Sequence, residues 1–178
     1  MKLVNYIALA FMGAAFFTSC EKHEAAPAGV SELEHHYYAI FVPNNNTGIT
    51  VSRSQTALIK LPVQFYSTFV RSYDAVAVYS IAKFIDPVTT PPTVSNPAVR
   101  GVDYNIVDRN GVTIPTTDST YRIVFPQAKQ AMDTIYVKLL NNPAPGVRKF
   151  EVQMRDNITS EFDVDIFSTA YRRPITIN

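Results

Sequence analysis

Three segments near the C-terminus alternate strictly between apolar and polar residues, and they restrict the fold more than any other feature of the sequence. They span residues 134–140, 149–155 and 161–167. Side chains alternate between the two faces of a β-strand, so a period of two predicts strands with one buried face. The apolar sets are Ile135, Val137 and Leu139, then Phe150, Val152 and Met154, then Phe162, Val164 and Ile166.

The rest of the chain predicts further short strands separated by turn residues. Asn110-Gly111 is a strong hairpin signal, and Pro62 predicts that its strand, or at least that point of it, lies at an edge or bulge. We find no helical period beyond one turn at 127–132, and residues 85–97, with four prolines, are predicted to be irregular. We therefore predict an all-β fold, a β-sandwich. The further predicted strands are 36–42, 49–51, 58–66, 74–83, 104–107, 112–114, 121–125 and 175–177.

The N-terminus has the form of an export signal. Lys2 is followed by an apolar run from Leu3 to Phe17 and then by Thr18, Ser19 and Cys20. The run is shorter than the roughly 20 residues of a membrane-spanning helix. Phe17-Thr18-Ser19-Cys20 resembles the lipobox of bacterial lipoproteins, which implies a signal peptide over 1–19 and acylation, for example with palmitate, at Cys20. An ordinary secretory signal with an incidental cysteine is the alternative.

Two or more acyl chains hold a protein stably on a membrane. The expected organisation is therefore a lipidated cysteine and flexible tether over 20–33, followed by a β-sandwich over 34–178. Glu21 and Glu24 loosely resemble the surface-display signal of some Gram-negative lipoproteins, although they also suit a plain solvated tether. The expected location is the outer membrane, facing the periplasm or the cell surface.

Charge and cysteine content exclude two classes of protein. The chain has 16 basic and 15 acidic residues, and Lys2 lies in the signal, so the mature chain is neutral overall. A neutral chain has no global basic field for nucleic acid. Cys20 is the only cysteine, so no intramolecular disulfide can form and the core alone must stabilise the domain.

From about residue 98 onward the sequence resembles Calx-beta domains, which are immunoglobulin-like sandwiches. The matching segments are Gly101-Val102-Asp103-Tyr104, the strand 121–126 ending in Phe-Pro, and the strands at 135–139 and 150–154. The resemblance implies an immunoglobulin-like sandwich. Some members of the family bind calcium through clustered acids, and Asp103 matches the position of one of these acids.

The other acids expected for calcium are replaced. Asn141-Asn142-Pro143 stands in place of an acidic pair, and Val147-Arg148-Lys149 in place of a glutamate. Calcium requires several oxygen ligands, and cations in their place oppose its binding. We therefore predict no cofactor and no metal, with Asp103 as the one weak candidate ligand.

The sequence provides no recognisable set of catalytic residues. His35 and His36 are adjacent and would point to opposite faces of a strand, and no Gly-x-Ser-x-Gly motif is present. Glu161, Asp163 and Asp165 form an acidic row that could serve as a glycosidase pair or a metal edge, but it is also typical of the solvent face of an outer strand. We predict that the protein is not an enzyme.

Tyrosines are the best indication of binding. Tyr37, Tyr38 and Tyr136 are the candidate ligand contacts, because exposed tyrosines stack on sugar rings or anchor protein partners. Packing at the edges of the sandwich is the alternative. The expected function is a lipoprotein that binds or positions an extracellular glycan or protein partner, with glycan uptake as a context. A structural subunit of an outer-membrane complex is the second hypothesis.

Overall fold

A computed structural model describes residues 35–86, 93–94, 96–116 and 118–178 of this chain. The predicted signal peptide, the lipidation site Cys20 and the tether lie outside these residues. No helix in the described part of the chain is long and apolar enough to cross a membrane. The strands are β1 His36–Phe41, β2 Ile49–Val51, β3 Ile59–Tyr66, β4 Ala75–Ala82, β5 Ile85–Asp86, β6 Thr93–Val94, β7 Tyr104–Val107, β8 Thr120–Phe125, β9 Ala131–Leu139, β10 Arg148–Arg155, β11 Asn157–Ile158, β12 Asp163–Asp165 and β13 Arg172–Ile177.

The described strands form two large sheets, which confirms the all-β sandwich. Sheet A has the order β11-β12-β1-β3-β9-β7, and sheet B has the order β2-β13-β10-β4-β8. Most pairs are antiparallel, but β12 runs parallel to β1 and β2 runs parallel to β13. The two-residue strands β5 and β6 pair only with each other, within the segment predicted to be irregular.

The core consists of the inward faces that the alternation predicted. Phe65 of sheet A stacks on Phe125 of sheet B with ring centroids 4.6 Å apart, and Tyr104 stacks on Phe150 at 3.9 Å. All four side chains are almost completely buried. Aromatic contacts therefore join the two sheets at two separate places, since Phe65 pairs with the first residue of β9 and Tyr104 with the last.

Pro62 lies inside sheet A, so the prediction of an edge strand is wrong for β3, which pairs with β1 on one side and β9 on the other. The alternative prediction, that only the point at Pro62 lies at an edge, is correct. The Pro62 carbonyl accepts a hydrogen bond from the Val42 amide at 2.9 Å, one residue past the end of β1. The proline therefore lacks its N–H where the pairing of β1 with β3 has already ended, so the sheet loses little hydrogen bonding.

Two further predictions need correction. The segment 161–167 forms only the short strand β12, with Ile166 39% exposed instead of buried. β12 also lies between β11 and β1, so the acidic row is not on an outermost strand. The turn predicted at 127–132 is a single 3₁₀ turn at Pro126–Ala128, and β9 has already begun at Ala131.

The Asn-Gly hairpin is present as a tight turn. The Asp108 carbonyl accepts from the Gly111 amide at 3.0 Å, and the Asp108 amide donates to the Val112 carbonyl at 2.8 Å. Gly111 has φ of +82°, a left-handed conformation that glycine adopts without steric cost. The hairpin extends the end of β7 and helps to form a cleft described below.

The core contacts yield a first prediction. Phe65→Ala removes a ring that packs on Phe125 and, at 5.2 Å, on Tyr37. We expect a loss of about 3–5 kcal/mol in the free energy of unfolding, measured by urea denaturation. Tyr66→Ala, one residue along and 44% exposed, is the matched control and should cost less than about 1 kcal/mol. Equal losses for the two variants would contradict the assignment of β3 faces.

Candidate functional site

Tyr37 is buried, so the prediction that it faces a ligand is wrong. It is on the inward face of β1, and its hydroxyl lies 2.7 Å from that of Tyr73 and accepts from Arg71 Nε at 3.2 Å. Tyr73 in turn contacts His35 Nδ1 at 2.9 Å. Burial, with smaller contributions from the hydrogen bond and charge of Tyr37, raises the pKa of Tyr73. These side chains form a hydrogen-bonded chain that fastens the start of β1 to the loop before β4.

Tyr38 lies on the outward face of sheet A, where it lines a cleft that we call the aromatic slot. Tyr38 and Tyr66 are directly paired across β1 and β3, and Phe167 packs edge-on against Tyr38 with centroids 5.8 Å apart. Ile40 and Asn44 complete the slot, which encloses about 370 Å³. Three segments of the chain line the slot, and two of them contribute an exposed ring, since Tyr66 and Phe167 are 44% and 40% exposed.

Polar groups of the slot are available to a ligand. The hydroxyls of Tyr38 and Tyr66 and the side-chain amide of Asn44 form no hydrogen bond with any residue that the structure describes. Met132, 58% exposed, is on the outward face of β9 opposite Gln64, diagonal to Tyr66. The slot therefore combines apolar walls with a few unpaired polar groups, which is the usual composition of a binding site.

Tyr136 lines a different cleft, which we call the edge cleft. β7 pairs with β9 only from Tyr136 to Leu139, which leaves the first part of β9 as an exposed edge. The space there is bounded by the 108–111 turn and by β8 of the other sheet, and it measures about 350 Å³. Its polar side chains include Tyr79, Arg109, Arg122, Asp133, Thr134 and Tyr136.

Asp103 is buried, and its carboxylate is held by N–H donors. The Val99 amide donates to Oδ2 at 2.6 Å, and Asn142 Nδ2 donates to Oδ1 at 2.7 Å. Asn142 is one of the residues that stand where the resemblance expects acids. Arg53 and Arg148 line the same cavity, which measures about 10 Å³. A single water needs roughly 10–15 Å³, so protein atoms fill the place of a ligand.

Arg53 occupies the centre of this end of the sandwich. Its guanidinium donates to the carbonyl oxygens of Ala144, Gly146 (2.9 Å) and Asn178 (3.1 Å). Carbonyl oxygens that converge on one point favour a cation, and here the cation is a side chain of the same chain. The guanidinium therefore holds both the 142–146 loop and the last residue of the chain.

Arg173 makes a similar arrangement in the 43–47 loop. It donates to the carbonyl oxygens of Pro43 and Thr47 at 2.9 and 2.8 Å, and to the side chain of Asn45 at 2.8 Å. Only 4% of Arg173 is exposed, and its guanidinium lies 5.2 Å from the centre of the Phe41 ring. Burial lowers the pKa of Arg173, although an arginine remains charged at neutral pH.

The acidic row faces a histidine. His36 Nε2 is 3.2 Å from Asp163 Oδ2, and its Nδ1 is 3.6 Å from Asp165 Oδ2. The two ring nitrogens face different carboxylates, so the trio cannot enclose one ion. No group of three or more acidic, histidine or cysteine side chains in the described ranges is placed to hold a metal. These contacts join β1 to β12.

Comparison with known proteins gives similarity in fold only. No protein-family model matches the sequence, and no curated protein is similar to it. Among solved structures, the Calx CBD1 domain is similar with 12% identity and a TM-score of 0.48 over 80% of this chain and 97% of that one. CBD12 from CALX1.2 has 13% identity and a TM-score of 0.49. The match covers 79% of this chain and 44% of that one, so this chain spans less than half of its length.

A cohesin of ScaC from Acetivibrio cellulolyticus, solved in complex with a ScaB dockerin, is also similar. It has 11% identity and a TM-score of 0.36, over 80% of this chain and 97% of that one. At such identities and TM-scores the similarity concerns the sandwich architecture and carries nothing about ligands.

Sequence reasoning missed the two loop-holding arginines. Arg173 carries a usable signal, because it precedes Ile175 and Ile177 at the same inward positions of β13. A charged residue in an apolar alternating set needs buried partners. Arg53 lies in a turn of small polar residues, where nothing in the sequence distinguishes it from a surface cation.

The contacts of Arg53 yield a second prediction. Arg53→Gln removes the guanidinium donors to three carbonyl groups, so we expect a loss of about 2 kcal/mol in unfolding free energy and faster amide exchange in the 142–146 loop. Exchange measured by mass spectrometry resolves the loop. Arg155→Gln, which loses a single contact to Ser80, is the control and should leave that loop protected. Unchanged exchange in Arg53→Gln would contradict the role of Arg53.

Proposed function

We propose that this protein is a non-catalytic lipoprotein, anchored through Cys20 outside the cytoplasm, that holds a partner in the aromatic slot. The slot carries the proposal because exposed rings and unpaired polar groups coincide there on one sheet face. Exposed apolar groups of this kind, with a polar margin, mark interaction sites on soluble domains.

The lining of the slot favours a protein partner. Tyr66 and Phe167 present apolar surface around a floor formed by Tyr38 and Ile40, and Asn44 supplies an amide at the margin. Met132 lies beyond the slot, on the neighbouring outward face of β9. An aliphatic or aromatic side chain of a partner would fill such a slot, as anchor residues do at the centre of interfaces. This supports the reading as an accessory subunit of an outer-membrane complex.

A glycan is the second candidate for the slot, because Tyr38 and Tyr66 form a directly opposed cross-strand pair. The face of a sugar ring can stack on such rings while its hydroxyls bond the unpaired tyrosine hydroxyls and Asn44. The two ligands differ in what they require. A protein partner depends chiefly on Phe167 and Met132, whereas a sugar depends on the tyrosines.

The anchor gives a third prediction. Cells expressing the full chain and fed a palmitate analogue should label the protein, and Cys20→Ser should abolish the label and release the protein from the membrane fraction. Two or three acyl chains bind a membrane stably, and a protein without Cys20 would carry no acyl chain. The control is Ser19→Ala, which keeps a small residue before the cysteine and should label normally. Full labelling of Cys20→Ser would contradict lipidation at this position.

The slot gives a fourth prediction. A photo-crosslinking residue in place of Tyr66 in the full chain, in its native membrane, should give one discrete product. We expect Phe167→Ala in the same chain to reduce the yield at least about tenfold, as for an anchor residue. A crosslinker at Val124, 51% exposed on the outward face of sheet B, is the matched control.

The glycan alternative is tested on a glycan array with three alanine variants in and beside the slot. Binding lost in Tyr38→Ala and Tyr66→Ala but kept in Met132→Ala would support a glycan in the slot. A product that forms equally from Val124, with glycan binding unchanged in Tyr38→Ala and Tyr66→Ala, would contradict the slot as the binding surface.

A further inference from the structure

The edge cleft contains the hydroxyl of a largely buried tyrosine, and no protein group that the structure describes bonds it. Tyr79 is 3% exposed and its ring stacks on Tyr121 at 5.1 Å, yet its hydroxyl bonds no residue in the described ranges. Burial, with smaller contributions from Tyr121 and Asp133, raises the pKa of Tyr79, so the hydroxyl keeps its proton at neutral pH. The hydroxyl is not among the fully enclosed polar atoms of the described residues, so the small exposed part of Tyr79 includes it. Tyr79 lines the cleft, so its hydroxyl is available there to a ligand.

Two arginines in the same cleft are also unpaired. Neither Arg109 nor Arg122 forms a hydrogen bond or ion pair with a residue that the structure describes. The 108–111 turn supplies Arg109, and the edge strand β8 supplies Arg122. A guanidinium presents a planar fork of donors that matches two neighbouring oxygen atoms. The cleft therefore holds donors for several oxygens of one ligand.

Two carboxylates balance the charge of the arginines. Asp108 accepts from the amides of Asn110 and Val112, and these bonds, that of Val112 first, lower its pKa. Asp133 Oδ1 accepts only from the adjacent Thr134 amide at 2.6 Å. Asp108 is thus occupied by its own turn, and Asp133 is left as an acceptor. With two cations and two anions the cleft has no net charge to attract a free anion.

We propose that the edge cleft is a saccharide-binding site for a neutral hexose unit. Adjacent hydroxyls of the sugar accept from Arg109 or Arg122 and donate to Asp133, and the Tyr79 hydroxyl bonds a further oxygen. Tyr136 supplies an aromatic ring at the mouth of the cleft. A volume of about 350 Å³ is at the lower end of the roughly 300–1,000 Å³ usual for small-ligand sites, which suits one or two sugar units.

This site is separate from the aromatic slot, since the slot lies over β1 and β3 and the cleft lies between β8 and the edge of β9. The full chain in detergent is titrated with neutral hexose oligosaccharides, and the Nε–H signals of Arg109 and Arg122 are followed by NMR. We expect both signals to shift, and the shifts to saturate at millimolar or lower sugar concentrations. Tyr79→Phe, which keeps the ring, should weaken binding about five- to tenfold.

The control for Tyr79→Phe is Tyr121→Phe, which removes the hydroxyl of the stacked partner. That hydroxyl bonds Arg100, outside the cleft. Tyr121→Phe and the slot variant Tyr66→Ala should both leave sugar affinity unchanged, so failure of the slot and failure of the cleft are distinguishable. No shift with any neutral sugar would overturn the proposal. Tighter binding of glucuronate or sulfate than of neutral sugars would overturn it too, as would equal affinity of Tyr79→Phe and the wild type.

Discussion

Burial of one face of each sheet against the other is the constraint from which the remaining features follow. Phe65 and Phe125 meet between the sheets, as do Tyr104 and Phe150, and the strands cannot slip by one residue without exposing these rings. The register of the strands therefore also decides which side chains lie on each outward face. Tyr38 and Tyr66 become neighbours on the outside because Ala39 and Phe65 are paired on the inside.

Loops around this core are held by guanidinium groups, a role that disulfides or metals have in many small secreted domains. Arg53 binds carbonyl oxygens of the 142–146 loop, and Arg173 binds those of the 43–47 loop. An arginine is suited to this because five donors satisfy several carbonyl groups at once and the charge does not depend on pH. The cost of burying the charge is met by these bonds and by the Phe41 ring beside Arg173.

Strand positions and the sandwich could be predicted from sequence, because period-two alternation reports directly on which face is buried. The prediction failed where both faces of a strand carry apolar residues. In β1, Tyr37 and Tyr38 are equivalent in sequence, and only packing against Phe65 shows that Tyr37 is inside. The slot and the edge cleft were equally beyond reach, since each combines residues from strands far apart in the chain. In the sequence Asn142 is distinguished only as a missing acid, although its side-chain amide donates a hydrogen bond to Asp103.

The registers also place the candidate surfaces relative to the point where the chain enters the domain. His36 and Tyr104 are at opposite ends of sheet A, so the Arg53 end is remote from the N-terminal side. His35 is fifteen positions after Cys20, which limits the distance between the two residues to about 50 Å. Under the proposed anchoring, this distance is the greatest that can separate the start of the domain from the lipidated residue. The slot includes Tyr38, two residues after His36, so it lies near the point of entry, whereas the edge cleft lies between β8 and the edge of β9.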